Sequence, residues 1–466
     1  MSAIVELRSK ARETIPGRLI FALFSLAVLL LPYDAIQYLP STYRPLSLVP
    51  LVLIVLLCVK DFLHIGLGRS VGFLTAFSAY SIIITFVDYA VFQTKGNYLD
   101  CFATILIGYF VFFVAYGCFT TKARMVNVRE YVLWFSRLVS KAYLIPMVVG
   151  LLQAACSFGV LPHGVASTIA TIFGSHQVGR IALTSFEASW ASVQMLFAMP
   201  LIFIDYLNSR QRLPLVELVV FAVLFVVNAS AQGFVTLAVG LLLYPIFLSF
   251  VRNDVLAFVK KFIPIILCIV LLVVGFQTFV QVFPVPNYVK TRIVNFVSLD
   301  GLIRRDGSSF IRICYPLISI NMWMDSPIFG LGGGSFSGMF ADYLANMFPW
   351  AINNGFTEVY ANYIGALEPS ACNIYTRTLG EFGLVGFILY VAFIGACLRG
   401  LKRFQCLQSH EFSCLIIWAS ILVTIPIQFQ SYCYVPTLMG LAFISSVFSC
   451  RREEDMPDSD LGKGRS

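Results

Sequence analysis

Phe262-Ile-Pro-Ile-Ile-Leu-Cys-Ile-Val-Leu-Leu-Val-Val-Gly-Phe-Gln-Thr-Phe-Val-Gln-Val-Phe283 carries no charge, and at Pro284 it gives way to a polar break that lasts to Cys372. A helix of about 20 apolar residues crosses about 30 Å of hydrocarbon, and in lipid it satisfies its own backbone hydrogen bonds. The run therefore reads as a membrane span, and the break as a large loop outside the bilayer. Working outward, comparable apolar runs lie at Leu19–Gln37, Leu46–Val59, Val71–Phe92, Leu99–Thr120, Val139–Val160, Ala188–Leu207, Leu215–Asn228 and Gly233–Phe250 before it, and at Tyr375–Cys397, Phe412–Phe429 and Tyr434–Cys450 after it. The expected fold is an all-α polytopic integral membrane protein with about 12 transmembrane helices. Leu46–Val59 and Leu215–Asn228 are short, which leaves ten or eleven spans open. Composition agrees, because a soluble chain of 466 residues could not hide 59% hydrophobic residues with only 12% charged.

The basic residues order these pieces, since Lys and Arg near helix ends stay on the cytoplasmic side. Segments placed inside by a twelve-span count are all basic, from Arg8, Lys10, Arg12 and Arg18 to Arg451, Arg452, Lys463 and Arg465. The organisation that follows is a cytoplasmic N-terminus at 1–18, spans one to nine over 19–283 with an outer loop near 161–187, and a large outer loop at 284–372 carrying short helices. Spans ten to twelve then occupy 373–450, and a charged, disordered cytoplasmic tail 451–466. The N-terminus lacks the features of a cleavable signal peptide. The net charge of +8 is mostly this topology signal and does not point to nucleic acid.

A translocated loop has no topological reason to hold arginine, yet Arg180 lies in the first outer loop, and Lys290, Arg292, Arg304, Arg305 and Arg312 lie in the second. Either these cations bind an anionic ligand or they pair with Asp300, Asp306, Asp325, Glu358 or Glu368. The glycines Gly330, Gly332, Gly333 and Gly334 either bring backbone N–H groups to a phosphate or make a tight turn after an amphipathic helix. They lack the ending of a nucleotide-binding P-loop. The aromatics from Trp323 to Tyr363 either stack on sugar faces or form an interface belt. The 12 cysteines and 4 histidines show no zinc spacing, so no metal site or cofactor is expected. Cys314 and Cys372 share the outer side and could form a disulfide.

Four stretches resemble one family. Arg180-Ile-Ala-Leu-Thr-Ser-Phe-Glu-Ala-Ser-Trp-Ala191 is similar to the Arg…Glu-Pro-Ser…Ala signature of O-antigen polymerases and O-antigen ligases, with Ala188 where proline is usual. Asn228-Ala-Ser-Ala-Gln-Gly233 resembles their Ser-x-x-Gly turn. Ser309-Phe-Ile-Arg312, followed by Asp325-Ser-Pro-Ile-Phe-Gly-Leu-Gly-Gly-Gly-Ser-Phe336, resembles their arginine, amphipathic helix and Pro-x-x-Gly-x-Gly turn. Asn373-Ile-Tyr-Thr-Arg-Thr-Leu-Gly-Glu-Phe-Gly-Leu-Val-Gly386 resembles their His-Asn…Gly-x-x-Gly signature, with Cys372 in place of histidine. The resemblance implies a membrane glycosyltransferase of GT-C-like architecture in the bacterial inner membrane, with its site facing the periplasm. Its donor and acceptor would be undecaprenyl-diphosphate-linked oligosaccharides, and its partners membrane lipid and a polysaccharide chain-length regulator. A thiol cannot act as an imidazole does near neutral pH, which favours the Wzy-type polymerases over the ligases.

The chemistry can be argued beside the family. A sugar–diphosphate bond breaks more easily when guanidinium groups stabilise the charge growing on the leaving oxygens, and they bind phosphate in a bidentate way that lysine cannot. Arg180 and Arg312 are the expected catalytic pair. A carboxylate must orient or deprotonate the acceptor hydroxyl, with Glu187 the first choice and Glu368 the second. The competing reading of Glu187 is a helix N-terminal carboxylate favoured by the macrodipole. Arg304, Arg305, Gly332, Gly333, Asn373 and Arg377 complete the expected substrate-binding set, and Glu381 reads as packing inside its helix. Two other functions stay open: a ligase that transfers glycan to lipid A-core, and a transporter or flippase. The transporter would need ionisable residues deep in the helices, where this sequence shows few.

Overall fold

The computed structural model describes residues 15–36, 43–62, 68–93, 95–176, 178–253, 262, 264–266, 275, 278, 299–429 and 431–450. Most of the ninth expected span, the tail, and the start of the large loop with Lys290 and Arg292 lie outside the described residues. No strand occurs among the described residues. The first half of the chain forms α1 (Ile15–Leu29), α2 (Leu48–Phe62), α3 (Arg69–Val87), α4 (Tyr98–Ala123), α5 (Val128–Ser157), the short α6 (His163–Phe173), α7 (Ala188–Ser209), α8 (Arg212–Asn228) and α9 (Ala231–Arg252). The large loop folds into α10 (Leu299–Arg304), α11 (Gly307–Asp325), α12 (Ser335–Met347), α13 (Pro349–Ile352) and α14 (Thr357–Tyr363). The chain then returns through α15 (Ile374–Leu398), α16 (Ser409–Thr424) and α17 (Val435–Ser446).

Among the described residues, 7 helical segments are long and apolar enough to cross a membrane, which makes this a polytopic membrane protein. Three differences from the sequence reading have physical causes. The first run stops being helical at Leu29, ahead of Pro32. Beyond that point backbone bonds from Arg44 to Asp34 O (2.9 Å) and from Leu46 to Tyr33 O (2.8 Å) replace the helical ones. The outer loop 161–187 contains a helix of its own, α6. And α8 carries a fully buried carboxylate, Glu217, which accepts a hydrogen bond from Ser140 Oγ at 2.9 Å. The neighbouring Asp205 meets Arg137 at 3.7 Å, so the interior is less free of charge than the hydropathy suggested.

Aromatic rings and small residues hold the bundle together. Phe443 of α17 stacks on Tyr131 and on Phe135 of α5, each at 4.5 Å between centroids. Trp418 Nε1 of α16 donates to Phe197 O of α7 at 2.9 Å, so a buried indole is satisfied by a neighbouring helix. Gly108 lets α4 approach the backbone of Tyr432, where a Cβ would lie 2.5 Å from its carbonyl oxygen.

The large loop makes a second apolar core of its own. Phe310, Cys314, Ile318 and Met322 recur at helical spacing on α11 and pack with Phe336, Phe340 and Leu344 of α12, Ala351 of α13 and Val359 of α14. This cap is fastened to α15 where that helix breaks. Gly383 has φ 61° and ψ −165°, a conformation essentially confined to glycine. The segment after α11 supplies the partners that the broken helix needs. Leu384 and Val385 donate to Pro327 O (2.9 Å) and Ile328 O (3.2 Å), while Leu331 and Gly332 donate to Gly380 O (3.1 Å) and Glu381 O (2.8 Å). A break inside a membrane helix is tolerated where other groups re-satisfy its backbone. The Pro-Ile-Phe-Gly-Leu-Gly turn is that set of groups.

The seam gives a contrast between two glycines of one helix. Gly383→Ala should cost about 2–5 kcal/mol, because it combines positive-φ strain with a collision against Ile328 O and Gly330 N. Gly395→Ala meets nothing within 4 Å and should stay within about 1 kcal/mol of wild type. Thermal unfolding in detergent measures both, and equal transitions would contradict the role of the break.

Candidate functional site

The segment between α6 and α7 is held by side chains from two helices before it reaches Glu187. Gln153 of α5 accepts from Ala182 N (2.9 Å) and Leu183 N (2.8 Å) and donates to Leu183 O (3.0 Å). Asn228, at the end of α8, donates to Ile181 O (2.6 Å) and Ala188 O (3.0 Å). Thr184 Oγ1 donates to Pro32 O at 2.7 Å, and His176 N to Phe186 O at 2.8 Å. Irregular backbone at this depth needs such partners, and here the buried side chains of Gln153 and Asn228 supply five of them. The outcome is a fixed position for Glu187 immediately before α7. Its carboxylate makes no capping bond to the helix backbone. It accepts from Ser189 Oγ instead and faces Arg312 of the cap, with Nη2 to Oε1 at 4.0 Å.

Arg312 is aimed by its own helix. Asp306 caps α11, accepting from Ser308 N at 3.2 Å and Ser309 Oγ at 2.8 Å, and so serves the helix rather than an arginine. One turn on, Arg312 Nη1 donates to Ser308 O at 3.0 Å and also meets Ser308 Oγ, while Nη2 lies 3.5 Å from Gln232 Oε1 at the start of α9. Its side chain is 19% exposed and that of Glu187 26%, so both can meet a ligand from solution.

Two further groups respond to this guanidinium. Glu358, at the rim on α14, is held above the ordinary glutamate range: loss of solvent raises it, Arg312 pulls it down, Glu187 pushes it up, and His176 pulls it down. Burial drives the Cys372 thiol up to about 12, with Arg312 opposing and Glu358 and Glu187 adding to the rise. Cys372 is thus a neutral thiol at the place where the resemblance has histidine. Cys314 and Cys372 are both free thiols.

The remaining expected residues divide by location. Arg180 is half-buried on the pinned segment. Asn373 caps α15, accepting from Tyr375 N (2.9 Å) and Thr376 N (3.2 Å). Arg377, one turn into α15, donates from Nε to Glu381 Oε2 at 3.0 Å, and Glu381 faces the N–H groups of Gly334 and Phe336 at the start of α12. Glu368 is exposed and accepts from Asn97 Nδ2 at 2.7 Å. Arg377, Glu381 and Glu368 line one cavity of about 190 Å³ together with Trp190, which lies one turn along α7 from Glu187. Arg304 rests on the Trp350 ring at 5.1 Å, on the cap, and Arg305 is exposed beside it. Gly332 and Gly333 are buried, and their N–H groups already donate to Glu381 O (2.8 Å) and Thr85 Oγ1 (2.9 Å). A phosphate there would compete with both bonds.

Sequence reasoning gave Glu358 only as a partner for arginine, and gave Gln153, His176 and Gln232 no role. Gln232 and Asn228 were within sight, since both belong to the Asn-Ala-Ser-Ala-Gln-Gly turn. Gln153 sits in an apolar run, and nothing in its neighbourhood announces a loop anchor.

Comparison with known proteins bears on the same region. Residues 216–391 match the O-antigen ligase family (Wzy_C), a stretch that runs from within α8 to within α15 and contains Gln232, Arg312, Glu358, Glu368 and Arg377. The match supports the O-antigen ligase/polymerase superfamily, whose members are glycosyltransferase-like enzymes acting on lipid-linked glycans, and it does not separate polymerase from ligase. No curated protein matches this chain.

Loss of the Asn228 anchor leaves Ile181 O and Ala188 O without that donor, at a cost of about 1–3 kcal/mol. Asn228→Ala should therefore speed amide exchange across the Arg180–Glu187 segment by about tenfold or more. Hydrogen-exchange mass spectrometry reads this directly, and unchanged protection would contradict the anchoring role.

Proposed function

We propose that the protein polymerises O-antigen or a related surface polysaccharide at the periplasmic face of the bacterial inner membrane. It moves the growing glycan from undecaprenyl diphosphate to the next lipid-linked repeat unit. The observation that carries this reading is the meeting of Arg312 and Glu187 at the seam between cap and bundle, 4.0 Å apart and both open to solution. In the reaction the acceptor hydroxyl attacks the anomeric carbon and its proton passes to a carboxylate. The bond from that carbon to the diphosphate oxygen breaks, and the diphosphate leaves with the electron pair. Arg312, with Arg180 on the pinned segment, stabilises the charge on the leaving group. Glu187 takes the proton, and the Glu358 carboxylate beside Arg312 keeps the local balance of charge that the step requires.

The rest of the reading follows the same topology. Twelve spans with both termini in the cytoplasm place the cap in the periplasm, where Arg304, Arg305 and Asn373 join the substrate-binding surface of a GT-C-like fold. Glu368 stands as the second candidate base, and a chain-length regulator would dock from the periplasmic side. The ligase remains the second reading because the matched family bears that description. Cys372 favours the polymerase, since a neutral thiol replaces the imidazole expected of a ligase. The phenotype separates them: loss of a polymerase leaves one repeat unit on the lipid A-core, and loss of a ligase leaves none.

Arg312→Ala should lower polymer formation by about 100-fold or more, and Arg312→Lys should recover little of it, because the bidentate fork is lost. Arg180→Ala should behave alike, and Glu187→Gln should remain in the membrane with activity reduced by about 100-fold or more. Polysaccharide ladders on gels read each variant, and normal ladders from a properly inserted Arg312→Ala would overturn the assignment. Purified lipid-linked repeat units should polymerise in EDTA and without nucleotide, and rescue by magnesium or manganese after chelation would contradict these roles.

The raised position of Glu358 sets the pH dependence. As pH falls, its carboxylate takes up a proton earlier than an ordinary glutamate, so the acid limb of the rate profile should lie above the usual glutamate range. Glu358→Gln, which mimics the protonated form at every pH, should lower the plateau and move the remaining limb to lower pH. A profile identical to wild type would remove Glu358 from the account.

A further inference from the structure

The cavity lined by Trp190, one turn along α7 from Glu187, has a composition that selects what can occupy it. One wall is aromatic: Trp190 lies 5.2 Å from Phe429 and 5.6 Å from Tyr43, ring to ring, and all three border the space. The lining also carries Asp100 and Glu368, and the Arg377–Glu381 pair forms part of it. Arg377 is the only cation among the lining residues and it is paired within its own helix, so three carboxylates facing one guanidinium leave the cavity net negative. Ser370 Oγ, also in the lining, is buried and makes no hydrogen bond within the protein. Apolar faces for C–H groups and acceptors for hydroxyls are what a sugar ring requires, and a volume of about 190 Å³ admits one.

We propose that this cavity is the sugar subsite next to the diphosphate position and that it takes an uncharged or amino sugar while rejecting a uronic acid. The inference rests on the glycan-transfer reading for its context and specifies which sugars that site accepts. The aromatic wall holds any pyranose face. Asp100 and Glu368 accept hydrogen bonds from hydroxyl or ammonium groups, and either would repel a sugar carboxylate brought into the cavity. Trp190 ties this preference to the reacting centre, since it lies one turn along α7 from Glu187. The sugar so selected sits adjacent to the bond that breaks.

The test is saturation-transfer NMR on the full-length chain in nanodiscs, with three probes: methyl N-acetyl-glucosaminide, methyl glucosaminide in mildly acidic buffer where its amine is protonated, and methyl glucuronide. Wild type should bind the first two at least about tenfold more tightly than the third. Glu368 is exposed, so Glu368→Lys should fold, and it should bring the glucuronide level with the other sugars or ahead of them. Trp190→Leu should weaken all three probes together. Trp190→Phe, which keeps an aromatic face, should retain most of the binding and guards against a folding defect. Equal binding of glucuronide to wild type, an unchanged order in Glu368→Lys, or no transfer from any probe would each overturn the proposal. Because the readout is binding rather than turnover, sugars bound with this preference by a protein that forms no polymer would count against the enzymatic reading and leave the subsite standing.

Discussion

The break in α15 at Gly383 is the constraint on which the rest of the molecule depends. A membrane helix cannot leave its backbone groups without partners, and a positive φ at Gly383 exposes several at once. The Pro327–Gly332 segment supplies the missing donors and acceptors and so fastens the cap to the bundle at one fixed position. Gly330 is compatible with that contact because a Cβ there would sit 2.5 Å from Gly383 N. Without the break, the glycine turn would have nothing to pair with and the cap no defined seat.

Position then becomes chemistry. With α11 docked along α15, where Ser319 Oγ donates to Thr376 O at 2.9 Å, the N-terminal end of α11 brings Arg312 to Glu187 at the mouth of α7. On the other side of the seam, Gln153, Asn228 and Thr184 fix the loop that ends at Glu187. A guanidinium and a carboxylate from distant parts of the sequence meet because two sets of backbone hydrogen bonds leave each of them little choice. Such preorganisation is what charge stabilisation in a transition state needs, since the groups need not reorient as the charge develops.

Much of this was legible in the sequence, and the parts that were not share a cause. Hydropathy reports composition per length, so it found the long spans but overran α1, where Pro32 ends the helix, and missed α6 inside a segment read as loop. Arg312 stood out because positive charge in a translocated segment is conspicuous, and Glu187 because it follows Arg180 by seven residues at the mouth of a helix. Gln153 and Gln232 did not, since a lone amide in an apolar run looks the same whether it anchors a loop or faces a neighbour. Gly332 and Gly333 were read for their free N–H groups, but whether an N–H is free depends on residues far away in sequence, here Glu381 and Thr85. Glu358 acquires its raised pKa only from the fold, which strips it of solvent and sets Glu187 near it against the opposing pull of Arg312.

The position of the diphosphate fixes the role of every charged group at the seam. A cryo-electron microscopy structure of the protein with geranylgeranyl diphosphate, a short lipid diphosphate, decides this most directly. The prediction is phosphate oxygens within about 3 Å of the Arg312 guanidinium, at the seam beside Glu187 and next to the cavity under Trp190. Diphosphate density against the basic residues at the opposite ends of the helices, with the seam empty, would contradict it.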